Sequence, residues 1–194
     1  MEIKKDEIKE VKKLGTLNGS EVKLVTLKGG FHIGLGKKAK NSKNSDILAV
    51  GSHPALVSHQ ISKKFNDKFE QTMSKNEGEP IPFVKEYSHN LSSADKVVLG
   101  LNIFAIKKNE EIEFKITKHN FEIFSIQASE NGGEITLKKT EKNAARLKNL
   151  NKKEISKSLE KTIKEYAKEN SLIIKENVIT LDLLQKLISE SFKK

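Results

Sequence analysis

Two serines and two histidines lie within the stretch 51–59, and these residue types can perform nucleophilic or acid–base chemistry. A serine beside a histidine base can attack a substrate, and the amides at the start of a helix can bind an anion. However, the stretch lacks the glycines two residues before and after a serine that a nucleophile elbow requires. An ordinary helix cap at Ser52 or His53 is therefore the preferred interpretation. The alternative is a ligand-binding or enzymatic centre formed by His32, Ser52, His53 and His59.

The glycine-rich stretch 29–39 suggests a phosphate loop at first sight, but its context argues against one. A dinucleotide fingerprint requires the glycines to open a helix, whereas here a polar loop leads to another strand. A Walker loop requires Ser or Thr directly after Gly-Lys, and Lys38 follows Gly36-Lys37. The alternating glycines instead predict a strand face that something approaches closely: the helix that begins at Pro54, a partner backbone, or a ligand.

The sequence predicts no metal site, no cofactor and no catalytic residue. Cysteine is absent, so thiolate ligands and thiol nucleophiles are excluded. His53 and His59 are six positions apart, which does not place them together on one helix face as a metal pair. Glu111 and Glu113 alternate with apolar residues and indicate the solvated face of a strand. We therefore expect that the protein is not an enzyme.

The charge is strongly positive, with 36 Lys and Arg against 26 Asp and Glu, a formal net charge of +10. Such a balance is typical of proteins that bind nucleic acid or another polyanion. Because Arg146 is the single arginine, the forked contacts that read bases or clamp phosphates are nearly absent. A genome-wide preference for lysine would give the same excess, so charge alone does not settle the function.

Two basic stretches are the candidate nucleic-acid-binding residues. The denser one spans 138–153, where Glu141 is the only acid. Its cations are Lys138, Lys139, Lys142, Arg146, Lys148, Lys152 and Lys153. The second stretch contributes Lys37, Lys38, Lys40 and Lys43. Exposed ammonium groups can follow a phosphate backbone, but no aromatic residue lies among them to stack on bases. A solvated lysine surface is the alternative interpretation.

The periodicity of the chain predicts an α+β fold with mainly antiparallel sheet. Four segments follow from it: an N-terminal helical segment 1–19, a β-β-β-α subregion 20–70, a connecting loop region 71–95, and a part 96–194. The last part comprises a four-stranded meander and two C-terminal helices packed on one face or end, capped by Asn151 and Thr180. We expect the part 96–194 to form one continuous domain with 20–70. Within the loop region 71–95, the stretch 76–82 holds two of the three prolines and is the expected hinge.

Three functional hypotheses follow. The first is a non-enzymatic basic protein that binds nucleic acid through phosphates without sequence specificity. The second is an adaptor that docks a protein partner through the strand face 31–36 or through its helices. The third is a small-ligand-binding protein or enzyme centred on 51–59. No stretch has the length and apolarity of a membrane span, and the first residues lack the apolar run of a signal peptide, so we expect a cytoplasmic protein.

Overall fold

The computed structural model shows a mixed α+β protein with mostly antiparallel sheets and few helices. It describes residues 3–72, 82–92, 98–118, 121–142, 151–175 and 181–190. The chain divides into two compact units, Met1–Ile81 and Pro82–Lys194. The boundary falls within the segment 71–95 that was expected to connect two parts of the chain. The expectation that 20–70 and 96–194 form one continuous domain stays a prediction.

The first unit is a five-stranded antiparallel sheet with one helix. Its strands are β1 (Ile8–Leu17), β2 (Ser20–Leu27), β3 (His32–Gly36), β4 (Asp46–Gly51) and β5 (Phe69–Gln71), and its helix is α1 (Pro54–Phe65). The strand order is β4-β3-β2-β1-β5. Short 3₁₀ turns precede β1 and follow α1, over Lys5–Glu7 and Asn66–Lys68. The predicted hairpin, third strand and helix of 20–70 are therefore all present.

Helix α1 packs on the sheet of the first unit and completes its core. Val57 and Ile61 are fully buried against apolar side chains of β1, β2 and β4. A Cβ atom added to Gly34 would lie 2.7 Å from Cδ1 of Ile61 and 3.0 Å from Cγ1 of Val57. Of the three predicted partners of the glycine-bearing strand, the helix that begins at Pro54 is thus the one that contacts Gly34.

The prediction of an N-terminal helical segment over 1–19 was wrong, because β1 occupies most of it. The Glu and Lys residues near the start resemble helical charge pairs, but only a thin apolar stripe supports a helix there. A strand instead places Leu14 and Leu17 in the core at zero exposure. Asn18 and Gly19, with φ of 51° and 78°, form the two-residue connection to β2 that left-handed backbone permits.

The second unit contains a six-stranded sheet and two helices. Its strands are β6 (Phe83–Ser92), β7 (Val98–Lys108), β8 (Glu111–Lys118), β9 (Phe121–Asn131), β10 (Glu134–Lys142) and β11 (Ile173–Ile174), in the order β11-β10-β9-β8-β7-β6. The helices are α2 (Lys152–Glu169) and α3 (Leu181–Glu190). All pairings are antiparallel except that of β10 with β11. The predicted meander and both predicted helices are present.

One face of this sheet forms the core with α2 and α3. Phe114 of β8 and Tyr166 of α2 meet edge to face, with ring centroids 5.5 Å apart. Leu184 and Ile188 of α3 belong to the same buried cluster. The side chain of Asn151 accepts a hydrogen bond from the amide of Lys153 at 3.0 Å, which confirms the predicted cap of α2. The proposed cap of α3, Thr180, lies outside the described residues.

The expectation that 71–95 is only a connecting loop was wrong in its described parts. Gln71 ends β5, and β6 pairs with β7 over its full length, from Phe83 with Lys107 to Ser92 with Val98. Consecutive polar residues, such as Ser88-His89-Asn90, concealed this strand, and only Tyr87 and Leu91 are buried in it among the described side chains. Residues 73–81 and 93–97 lie outside the described part of the chain.

Candidate functional site

The strand-to-helix connection at 51–53 is built as a helix cap. Nδ1 of His53 accepts a hydrogen bond from the amide of Ala55 at 3.0 Å, and Pro54 occupies the first helical position. That bond requires an unprotonated Nδ1. Ser58 donates to Oε1 of Gln71 at 2.6 Å and so links α1 to β5. The structure thus gives His53 and Ser58 structural partners.

The remaining residues of the proposed ligand centre are near the same connection but do not form a metal site. His32 pairs with Gly51 across β3 and β4, and its Nδ1 lies 3.1 Å from Oγ1 of Thr26. His59 is half-buried in the second turn of α1. Ser52 Oγ is buried and makes no hydrogen bond to the described residues. Among the described residues, no group of three His, Asp or Glu side chains could hold a metal ion.

The basic stretch 138–153 belongs to the second unit. Lys138, Lys139 and Lys142 lie in β10, where Lys142 pairs with Phe124 and Lys139 with Gln127 across a register shift. Lys152 and Lys153 are exposed in the first turn of α2. Cations at a helix N-terminus are disfavoured by the helix dipole unless an anion offsets them. Arg146 and Lys148 lie outside the described residues.

The basic stretch 37–43 acquires neighbours from distant parts of the chain through the topology of the first unit. In the antiparallel order β4-β3-β2-β1-β5, the connection 18–19 and the loop 37–45 lie at the same end of the sheet. Helix α1 starts at the opposite end and returns, because β5 begins beside Leu17. The segment 62–68 therefore joins the other two. We call these three segments, 18–19, 37–45 and 62–68, the basic end.

Asn18 links the three segments of the basic end by hydrogen bonds. Its backbone amide donates to the carbonyl oxygen of Lys68 at 3.0 Å, and its side-chain amide donates to the carbonyl oxygen of Lys38 at 3.4 Å. Within the loop, the amide of Ser42 donates to Ala39 at 3.0 Å, and its hydroxyl donates to Asn44 at 2.9 Å. The lysines of the loop are therefore displayed on a hydrogen-bonded framework.

The basic end carries seven lysines and, within its three segments, one acid, Asp67. The lysines are Lys37, Lys38, Lys40, Lys43, Lys63, Lys64 and Lys68, all exposed except the half-buried Lys37. The neighbouring strand residues Glu21, Asp46 and Glu70 add acidic charge, and Asp46 lies 4.0 Å from Lys38. The opposite end is more balanced, because its segments 3–7, 28–31 and 52–53 contain three lysines and two acids.

Lys63, Lys64 and Lys68 are the residues that sequence reasoning missed. They are separated from Lys43 by a strand and a helix, so proximity in sequence could not reveal them. The signal was present in the expected order of elements: a helix of 12 residues after β4 must bring its last turn back beside the loop between β3 and β4. Tracing the direction of each element would have found them.

No family model, curated protein or solved structure matches this chain. Within the described residues, none of the helices combines the length and apolarity needed to cross a membrane.

Proposed function

We propose that this protein binds nucleic acid through the phosphate backbone, without reading sequence, and that the basic end is a principal contact. The observation that carries the proposal is the convergence of three segments with seven lysines and one acid at one end of a sheet. Neutralising phosphates releases condensed counterions, and this release drives sequence-independent binding. The hydrogen bonds of Asn18 reduce the ordering cost of assembling these cations on a partner.

The chemistry of the basic end supports phosphate contacts rather than base reading. All its cations are lysines, whose ammonium groups act as point charges and do not make the forked contacts of arginine. The uncharged residues between them are mostly Asn and Ser, which hydrogen-bond phosphate and sugar oxygens. The expected partner is therefore recognised by its charge.

Exposed apolar residues favour nucleic acid over a membrane surface as the polyanion. A membrane-binding surface combines lysines with several large apolar side chains that enter the lipid. Val11 and Ile47 are the large apolar side chains that are exposed among the described residues of the first unit; of these, only Ile47 lies near the basic end, and it is 37% exposed. One partly exposed isoleucine provides little apolar surface for insertion.

Charge reversal with a matched control tests the proposal. Binding of a labelled, mixed-sequence nucleic acid is followed by fluorescence anisotropy for the variant K40E/K43E/K68E and for K4E/K5E/K28E. The second variant changes the net charge equally at the opposite end, where all three lysines are exposed. We expect the first variant to bind at least about tenfold more weakly than the second. Equal loss in both would show that only net charge matters and would overturn the assignment.

The stretch 138–153 is a second contact in this proposal. Lys152 and Lys153 are exposed at the start of α2, where their ammonium groups can contact phosphates. We expect K152E/K153E to weaken binding, independently of the change at the basic end. Binding to vesicles of anionic lipid with no binding to nucleic acid would overturn the proposed function as a whole.

A further inference from the structure

We infer that the basic end binds a double-stranded nucleic acid and contacts both strands. This inference rests on the proposed function and adds the class of nucleic acid to it. Two observations lead to it: the spread of the lysines across the sheet, and the surroundings of the aromatic side chains among them.

The segments that carry the lysines of the basic end lead to strands at the two edges of the sheet, although Lys38 lies further inward, where its carbonyl oxygen accepts from Asn18. The loop 37–45 connects β3 and β4 at one edge, whereas the segment 62–68 leads into β5 at the other edge. Four strand spacings of about 4.8 Å separate β4 from β5, roughly 19 Å in all. The major groove of a duplex is about 12 Å wide. Lysines at the two edges, such as Lys43 and Lys68, can thus reach phosphates on opposite sides of a groove.

The basic end does not present the aromatic surface that single strands use. Stacking of bases on open aromatic rings supplies much of the affinity of proteins for single strands. The described aromatic residues in or beside the basic end are Phe65 and Phe69. Phe65 is half-buried with Nζ of Lys64 over its ring, 5.5 Å from the ring centre, and Phe69 is 7% exposed. Phe69 is therefore buried, and the half-buried Phe65 carries a lysine over its ring, so the aromatic surface offered to bases is small.

The charge density of nucleic acid also favours the duplex over the single strand. A duplex carries one negative charge for about every 1.7 Å of its axis, whereas a single strand carries about half that density. A site made of lysines, asparagines and serines depends on the number of phosphates within reach. The duplex offers more of them across the width of the sheet, so it is expected to bind more tightly.

Competition between two forms of one sequence tests this inference. A labelled duplex bound to the full-length protein is displaced by unlabelled duplex or by one of its own strands, at one salt concentration. We expect the duplex to compete about tenfold more strongly. Equal or stronger competition by the single strand would overturn the inference and leave the proposed function standing. Failure of either form to bind would overturn both.

A pair of variants tests contact with both strands. K40E/K43E changes the β4 edge and K64E/K68E changes the β5 edge, while K4E/K28E at the opposite end of the unit is the control. All these lysines are exposed, so the variants are expected to fold, which circular dichroism checks. We expect each edge variant to weaken duplex binding about five- to tenfold relative to the control. A loss confined to one edge would contradict contact across a groove.

Discussion

The backbone amide of Asn18 donates a hydrogen bond to the carbonyl oxygen of Lys68 at 3.0 Å, although fifty positions separate the two residues. Asn18 has the left-handed backbone conformation, with φ of 51°, and its side chain reaches Lys38 at the same time. A residue without charge therefore joins two lysine-bearing segments by hydrogen bonds.

Substitutions of Asn18 separate the role of its side chain from that of its backbone. Asn18→Gly retains the left-handed conformation and removes the bond to Lys38, so we expect near-native stability and a few-fold loss of nucleic-acid affinity. Asn18→Ala removes the short polar side chain that makes the left-handed conformation tolerable for a residue with a Cβ, so it should also cost about 1 kcal/mol of unfolding free energy. Denaturant unfolding and anisotropy measure the two effects. Unchanged affinity in Asn18→Gly would show that the bond to Lys38 does not position the loop.

Gly34 tests the packing of α1 on the sheet. Gly34→Val would place its side chain against Ile61 and Val57 and force them to move, at a cost of about 1–3 kcal/mol of unfolding free energy. Gly29→Val is the control, because nothing lies within 4 Å of a Cβ added at Gly29. We expect the control to change stability by less than about 0.5 kcal/mol. Equal loss in the two variants would contradict close packing at Gly34.

The sequence supported the general fold class because its strongest patterns depend on local chemistry. Alternation over 20–27, the Asn151 cap and the apolar stripe of α2 each involve neighbouring residues, and each agrees with the structure. Strand β1 was missed because its buried anchors, Leu14 and Leu17, follow a charged stretch that resembles a helix. Burial in a sheet that forms from distant strands outweighs such local preference.

Only part of the candidate site could be predicted from the sequence, for a related reason. Lys37, Lys38, Lys40 and Lys43 form a recognisable run, whereas Lys63, Lys64 and Lys68 join them only through the direction of α1 and β5. The histidines and serines at 51–59 suggested a ligand-binding or enzymatic centre by their residue types, but Nδ1 of His53 caps helix α1. Residue type alone does not distinguish a cap from a catalytic group.

A buried charge cluster in the second unit is expected to control its stability. Nζ of Lys115, only 6% exposed at its side chain, lies 2.9 Å from Oε1 of Glu113 and also contacts Glu122. Lys115→Met would leave two carboxylates without their cation, so we expect a loss of about 3–5 kcal/mol in unfolding free energy. Lys118→Met, at a half-exposed position of β8, is the control and should cost much less.

The same cluster predicts a dependence on alkaline pH. Burial opposes the charged form of Lys115, but the two carboxylates outweigh burial and raise the pKa of Lys115 above its usual value of 10.5. The stabilisation of the fold by charged Lys115 is therefore complete below pH 10.5 and is lost as the pH rises through the raised pKa. Burial and Glu130 also raise the pKa of Tyr166 to about 12, so the stabilisation that depends on neutral Tyr166 is likewise lost as the pH rises. The unfolding free energy of the wild type should therefore fall more steeply with rising alkaline pH than that of Lys115→Met.

His89 predicts a dependence of stability on mildly acidic pH. The hydroxyl of Thr162 donates to the carbonyl of Ser158 at 2.8 Å, so its oxygen accepts from Nε2 of His89 at 2.9 Å. Burial, together with Lys161, lowers the pKa of His89 below 6.5, and Glu165 opposes this effect. The stabilisation of the fold by neutral His89 is present above pH 6.5 and is lost as the pH falls through the lowered pKa.

A comparison of wild type with His89→Gln isolates this contribution. Glutamine keeps a donor for Thr162 but does not titrate. We expect the unfolding free energy of the wild type to decline between about pH 7 and pH 5 more than that of the variant. Parallel curves would indicate that His89 has the same pKa in the folded and unfolded chains.

The salt dependence of duplex binding tests the central claim most directly. The logarithm of the binding constant falls with the logarithm of salt concentration by about 0.9 for each phosphate neutralised. We expect a clearly negative slope for the wild type. Its magnitude should be smaller by about 2 to 3 in K40Q/K43Q/K68Q and unchanged in K4Q/K5Q/K28Q. A flat wild-type slope, or identical slopes in the two variants, would contradict phosphate binding by the basic end.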